Sequence, residues 1–347
     1  MNERVNGMTS TWERLMATGR VMRTALREQQ GCIRDVYDRM GPYLHSPDDT
    51  PPEYAVRPGG VPDAFFSWRR NLFSTLFHSV YLMLDCPEPR RLLYGRLIHL
   101  YRIWVTSADN LLDDEDKIVV PIVMPGASRV MRQVVGLMAA DRVLAEILGE
   151  AVAAGTIDAA MAASLQRESL RRLLPSAAEE AAEEGGIGAR PGPDHVLNVI
   201  HRLKTGLLFN VAFAGPEIVE PALPRARMAA LKESLMQFGL GCQVLDDIRD
   251  LGKDLRERRH NYVLSWLAHH QPDALARLSE RAAEGEDRLY LNAVPGVAPA
   301  AELGLRLMRT GLAQLGRAGL DYGERDAESM ARMMFNVLDL GDLSHAA

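Results

Sequence analysis

The stretch Asp109-Asn110-Leu111-Leu112-Asp113-Asp114-Glu115-Asp116 decides how the chain is read, together with Asp246-Asp247-Ile248-Arg249-Asp250 and Asp254, which begins 137 residues later. Each stretch places aspartates at i and i+4, hence on one face of a helix. Like charges at that spacing repel, and the repulsion needs a reason. Bound divalent cations are the usual one. Magnesium takes hard carboxylate oxygens and commonly bridges them to a substrate phosphate. The two clusters are therefore expected to face each other.

Taken singly, an acidic run on a helix is most simply a solvated face. Three features count against that here. The acids are aspartates, which are poor helix formers in a helix interior. They sit on apolar segments: Leu97, Leu100, Ile103, Trp104 and Val105 lead into the first, and Phe238, Leu240, Cys242, Val244 and Leu245 into the second. And the same spacing occurs twice. A di-iron bundle also sets carboxylates on facing helices, but it needs two Glu-x-x-His motifs. The key segments offer only Glu257-Arg258-Arg259-His260.

Composition narrows the partners. The 347 residues carry a net charge of −6, which argues against a broad basic surface and against nucleic acid. Apolar residues make up 47% and charged residues 25%, enough for a sizeable core in a soluble protein. Cys32, Cys86 and Cys242 are scattered, which fits reduced thiols in a cytoplasm. Met1 to Ser10 is polar, and flexible chain is the expectation there; no apolar run is long enough for a membrane span.

Outward from the clusters, nearly every segment has a period near 3.6. The periodicity predicts helices over about 11–44, 64–85, 88–114, 127–152, 156–174, 194–214 and 224–252, and two to four more over 260–345. A Pro-rich loop spans His45 to Asp63. Residues 118–125 read as an apolar loop, because two prolines and no partner argue against a strand. Ser176 to Pro193, or 176–193, rich in Ala, Glu and Gly, reads as a mobile surface loop. The expectation is all-α: a single-domain helical bundle over 1–347 with a central cavity.

Bases stand near the acids. Lys204 and Thr205 interrupt an apolar helix, where a lysine by default snorkels to solvent. Arg249, Lys253, Arg256, Arg258 and Arg259 lie within or just after the second cluster, with surface salt bridging as their default role. Beside metal sites, the same residues supply what a diphosphate needs.

Five segments in order, from about Leu97 to Leu267, resemble the trans-type isoprenoid diphosphate synthases (polyprenyl synthetases), which share a helical bundle with class I terpene synthases and squalene/phytoene synthases. Asp109 to Asp116 is similar to the first aspartate-rich motif, Ala140-Asp141-Arg142-Val143-Leu144 to the Gly-Asp-x-x-Leu segment, and Lys204-Thr205-Gly206 to the Lys-Thr motif. Phe238-Gly239 and Gln243 to Asp254 resemble the second aspartate-rich motif, and Asp254 to Arg259 the stretch after it. The resemblance implies that Asp109 and Asp113 hold two Mg²⁺, and that Asp246, with Asp250 and Asp254 nearby, holds a third. It implies that Lys204, Gln243 and Arg259, with Lys253 close by, meet the allylic diphosphate or its metals. It also implies a homodimer.

The departures are specific. Asn110 stands for the second Asp of the first motif. The trailing Arg-Arg-Gly is replaced by Lys117-Ile118-Val119-Val120-Pro121, and the N-terminal Gly-Lys-x-x-Arg-Pro motif is missing. Arg69 and Arg70 are the nearest substitutes, at a different offset. Because those missing bases hold isopentenyl diphosphate in elongating members, the expected function is that of a class I terpene synthase acting on a C10–C20 prenyl diphosphate. Trp104 is then a candidate for stabilising a cation, with core packing as its plain alternative. The alternative function is a prenyltransferase, either elongating with a different basic set or joining prenyl groups head to head. A non-catalytic synthase subunit is the third reading.

Overall fold

The computed structural model describes residues 3–286, 288–292 and 294–343, without the side chains of 3–10, 127 and 206–208. The helices are α1 (Glu3–Thr18), α2 (Arg20–Tyr43), α3 (Leu72–Met83), α4 (Glu88–Leu112), α5 (Arg129–Ala153), α6 (Ala159–Glu183), α7 (Pro193–His195), α8 (Leu207–Val211), α9 (Ala214–Val219), α10 (Arg225–Arg249), α11 (Leu251–Glu257), α12 (Tyr262–His270), α13 (Pro272–Ala283), α14 (Val297–Ala318) and α15 (Glu324–Val337). The all-α expectation holds. No described helix is long and apolar enough to cross a membrane.

Contacts divide the chain into two compact units. One comprises Arg20–Ser169 and Ala214–Ala222; the other comprises Met1–Gly19, Leu170–Phe213 and Leu223–Ala347. The first acidic cluster lies in the former unit and the second in the latter.

In the first-cluster unit, α4 packs against α2, α3 and α5. Its buried face carries Leu93, Leu97, Leu100 and Ile103, spaced three or four apart as a core stripe requires. The segment read as an apolar loop contains a short strand after all. Ile122–Val123 pairs antiparallel with Arg57–Pro58, and Gly59 N–H donates to Pro121 C=O at 2.8 Å. The partner came from the Pro-rich loop, which had no strand periodicity of its own.

In the second-cluster unit, α10 and α14 form the main pair. Glycines set their approach: a Cβ on Gly241 would stand 2.6 Å from Gly304 C=O, and Gly311 lies against the Ser234 and Phe238 backbone. Met330, Met333 and Met334 on α15 are buried, as core methionines should be. The three cysteines are buried free thiols.

Several boundaries differ from expectation. The first predicted helix is two, broken at Gly19, and the first of them begins at Glu3, within the stretch expected to be flexible. The helix expected from residue 64 begins at Leu72, after a 3-10 turn over Asp63–Phe66. Residues 194–214 are not one α-helix but α7, two π-helical turns over Val196–Ile200 and Arg202–Gly206, and α8. And α6 runs on past Pro175 to Glu183, through the stretch read as loop. Ala and Glu are strong helix formers, so Ser176 to Glu183 favours helix despite its polarity.

Candidate functional site

On α4, the last turn carries Asp109 and closes at Asp113, whose N–H donates to Asp109 C=O at 2.8 Å. The two aspartates thus keep the helical i, i+4 relation. Asn110, one residue on, is turned inward and is 2% exposed. Its Nδ2 donates to Lys117 C=O at 2.7 Å and its Oδ1 accepts from Lys117 N–H at 3.2 Å. The residue that departs from the motif is thus a clamp on the loop behind the cluster. The remaining acids serve that loop as well. Asp114, with φ 52°, pairs with Arg129 at 2.8 Å; Asp116 pairs with Arg132 at 2.9 Å; Glu115 pairs with Lys117.

A cavity of about 210 Å³ in the same unit is lined by Tyr37, Phe65, Arg70, His99, Arg102 and Lys117, with Thr106 and Val119. Arg102 lies on α4 and donates to Asn71 Oδ1 at 2.8 Å; Asn71 in turn donates to Phe65 C=O at 2.6 Å. Arg70 lies 3.8 Å from the Phe65 ring centroid and donates to Ile118 C=O at 2.6 Å. Burial works against the charge of both arginines, and for Arg102 so does Arg70 itself. His99 is 3% exposed, and neither ring nitrogen has a hydrogen-bond partner. Burial, then Arg102 and Arg70, push its imidazole down to about 3, so it is neutral at ordinary pH. Arg69 is exposed and lies over Trp68 at 5.5 Å, outside this lining. Half-buried Trp104 is tilted against Tyr101 at 5.7 Å.

In the other unit, Asp246 and Asp250 end α10. Arg249 bridges them, 2.5 Å from Asp246 and 2.7 Å from Asp250. Asp247 repeats the behaviour of Asn110. It is 2% exposed and accepts from Tyr262 N–H at 2.6 Å, with His201 Nε2 at 2.8 Å on the same oxygen. Gln243 donates to Asp247 at 3.3 Å and accepts from the Thr205 hydroxyl. Asp254 on α11 accepts from Asn261 Nδ2 at 2.8 Å. Burial and the Asp247, Asp250 and Asp246 carboxylates push its carboxyl well above the usual range, with Asn261 opposing. That mutual repulsion is what a divalent cation relieves, and the hard oxygen donors suit Mg²⁺. Lys253 is half-buried on α11.

Lys204, in the second π-helical turn, faces three glutamates of α6. Its Nζ is 2.7 Å from Glu183 and 3.3 Å from both Glu179 and Glu180. Arg259 lies 3.7 Å from Glu180 and from Glu183, and its N–H donates to Asp254 C=O at 2.9 Å. Glu183 also accepts from His260 N–H at 3.0 Å. The chain after α6 is tied to the same place: Ile187 N–H donates to Arg258 C=O at 2.9 Å, and Arg190 to Arg259 C=O at 2.8 Å. Sequence reasoning missed these glutamates and the His201–Asp247 pair. The glutamates sat in a run whose composition suggested solvent.

No protein-family model matches the chain, and no curated protein sequence matches it. Its fold is that of the isoprenoid diphosphate synthases. It is similar to a geranylgeranyl pyrophosphate synthetase from Pyrococcus horikoshii Ot3, with 16% identity over 93% of this chain and 98% of that one, and a TM-score of 0.60. It is also similar to a polyprenyl synthetase from Streptomyces coelicolor A3(2), with 16% identity, 94% and 98% coverage and a TM-score of 0.55. A heptaprenyl diphosphate synthase from Staphylococcus aureus matches with 14% identity, 89% and 98% coverage and a TM-score of 0.57.

Proposed function

We propose that the chain is a Mg²⁺-dependent isoprenoid synthase of the prenyltransferase type, joining an allylic prenyl diphosphate to a second, anionic prenyl substrate such as isopentenyl diphosphate. The cavity lined by Arg70, Arg102 and Lys117 carries this reading, because it gathers three cations beside α4, the helix that bears Asp109. Among the described residues neither arginine meets a carboxylate. Arg102 is half-buried and Arg70 exposed, and two like charges set close together are stabilised by an anion between them. The prenyl synthases of the same fold point the same way. This reverses the preference that the missing Arg-Arg-Gly and Gly-Lys-x-x-Arg-Pro motifs suggest: a different basic set serves the second substrate.

In this reading Asp109 and Asp113 would hold two Mg²⁺, and Asp246, with Asp250 and Asp254 in support, a third. Bound there, the metal would supply Lewis-acid neutralisation of the leaving diphosphate. Lys204, Gln243 and Arg259, with Lys253, bind the diphosphate oxygens and orient the allylic carbon. The C–O bond breaks with its electron pair on diphosphate. The alkene of the second substrate, anchored by Arg70, Arg102 and Lys117, donates its π electrons to the allylic cation, and the adjacent carbon gives up a proton to an oxygen of the released diphosphate. Apolar walls around the cation exclude water that would quench it.

A terpene synthase remains the second reading, favoured by Arg70 already being engaged with Phe65 and Ile118. The deciding experiment incubates enzyme, Mg²⁺ and geranyl, farnesyl or geranylgeranyl diphosphate, with and without isopentenyl diphosphate, and reads products by mass spectrometry. Longer prenyl diphosphates that require isopentenyl diphosphate support transfer. Hydrocarbon or terpene alcohol from the allylic substrate alone overturns it in favour of cyclisation. No turnover of any substrate leaves only the non-catalytic subunit.

A further inference from the structure

The bases assigned above to the diphosphate already hold anions. Glu179, Glu180 and Glu183 occupy the last turns of α6 at i, i+1 and i+4, and present their oxygens to Lys204 and Arg259. The Glu180 and Glu183 oxygens, set within a few ångströms of an ammonium and a guanidinium, match the contact pattern of a diphosphate.

The arrangement is costly for the folded chain. Glu183 is 1% exposed and Glu179 is 7% exposed, and neither Glu179 oxygen has a hydrogen-bond partner. Burial pushes the Glu179 carboxyl up to about 8 despite Lys204, and Glu183 and Glu180 add to the shift. Lys204 itself sits in a π-helical turn, a distortion that recurs at functional sites. Immediately after α6, Gly185 and Gly186 have φ of 78° and 88°, the left-handed region that frees a helix end to change direction.

We propose that the end of α6 is an internal stand-in for the diphosphate: Glu180 and Glu183 hold Lys204 and Arg259 until a metal-bound diphosphate displaces them. This rests on the reading of Lys204 and Arg259 as diphosphate ligands. Affinity is then lowered by the fraction of molecules in which the glutamates occupy the bases. The same competition expels the inorganic diphosphate product when the reaction is over.

The test is calorimetry on the full chain with inorganic pyrophosphate and Mg²⁺. Glu180→Gln with Glu183→Gln should tighten binding by about tenfold, as expected when a competing state is removed. Glu180→Gln alone, at a more exposed site, should tighten it severalfold and stands in if the double variant fails to fold. Glu324→Gln, an exposed carboxylate elsewhere, controls for net charge and should leave affinity unchanged. Hydrogen exchange over 176–190 should accelerate when Mg²⁺ and pyrophosphate are added to the wild type. Wild-type affinity in both glutamine variants, or tightening matched by Glu324→Gln, overturns the proposal. Lys204→Ala separates the two levels. If it loses binding while the glutamine variants behave as wild type, the diphosphate reading stands and displacement fails; if it binds as wild type, both fail.

Discussion

His201 Nε2 lies 2.8 Å from the Asp247 carboxylate, with both residues buried, so the second aspartate of its cluster is an internal strut. Asp247 should therefore answer to stability and Asp246 to activity. Asp247→Ala strands the Tyr262 N–H and His201 in the core and should cost about 2–4 kcal/mol in urea unfolding. Asp246→Ala should cost less than about 1 kcal/mol, as expected for a surface substitution, while abolishing Mg²⁺-dependent turnover. Near wild-type turnover in Asp246→Ala would refute the metal assignment.

Asn110 makes the matching case in the other unit. Restoring the motif with Asn110→Asp removes the donor to Lys117 C=O and sets a carboxylate against that carbonyl. The expected result is a loss of about 1–3 kcal/mol and no gain in activity. Thermal unfolding and diphosphate release measure the two. A more active Asn110→Asp enzyme would show that the position faces metal.

Arg102 should separate the two substrates. Arg102→Met should raise the KM for isopentenyl diphosphate at least tenfold, since a charge-assisted contact is worth about 1.5–3 kcal/mol. Ionisation of the allylic substrate alone, followed as slow release of diphosphate, should change little. Equal loss in both assays would place Arg102 in the scaffold, through its bond to Asn71.

Glu179 should give the stability a pH dependence whose sign follows from the direction of its shift. Burial pushes its carboxyl up to about 8 in the folded chain against 4.5 as the ordinary value, with Lys204, Glu180, Glu183 and His260 around it. Between those values the folded state binds more protons than the unfolded one, so this group lowers stability as pH rises from about 4.5 to about 8, and no further above. Glu179→Gln should match the wild type at pH 5 and exceed it by roughly 1–3 kcal/mol at pH 8. Parallel pH profiles of the two proteins would refute the shift.

Chelation tests the metal directly. EDTA should abolish turnover, and Mg²⁺ should restore it. Undiminished activity in EDTA would exclude the roles given to Asp109 and Asp246.

The helices that carry both clusters were legible because their apolar stripes and i, i+4 acids repeat with the helical period. That geometry also contained an unused clue. A residue at i+1 lies about 100° round the helix, so Asn110 and Asp247 could not share the face of Asp109 and Asp246. The end of α6 was not legible: its Ala and Glu content fits a solvated stretch equally well, and only the tertiary position of Lys204 explains why Glu183 is buried. Of the bases lining the cavity, Arg70 was legible as a substitute for the missing motif, and Arg102 was not. The two are 32 residues apart, and their meeting in one cavity depends on Asn71 and the turn it anchors.

The glycine approach between α10 and α14 makes mechanical compliance one-sided. With Gly241 and Gly311 at backbone contact, α10 has no room to move toward α14. It acts as an anvil, and the yielding must come from segments held by side chains alone. Substitutions meant to reshape this unit should therefore spare those two glycines, because a side chain at either would force the seam between α10 and α14 apart.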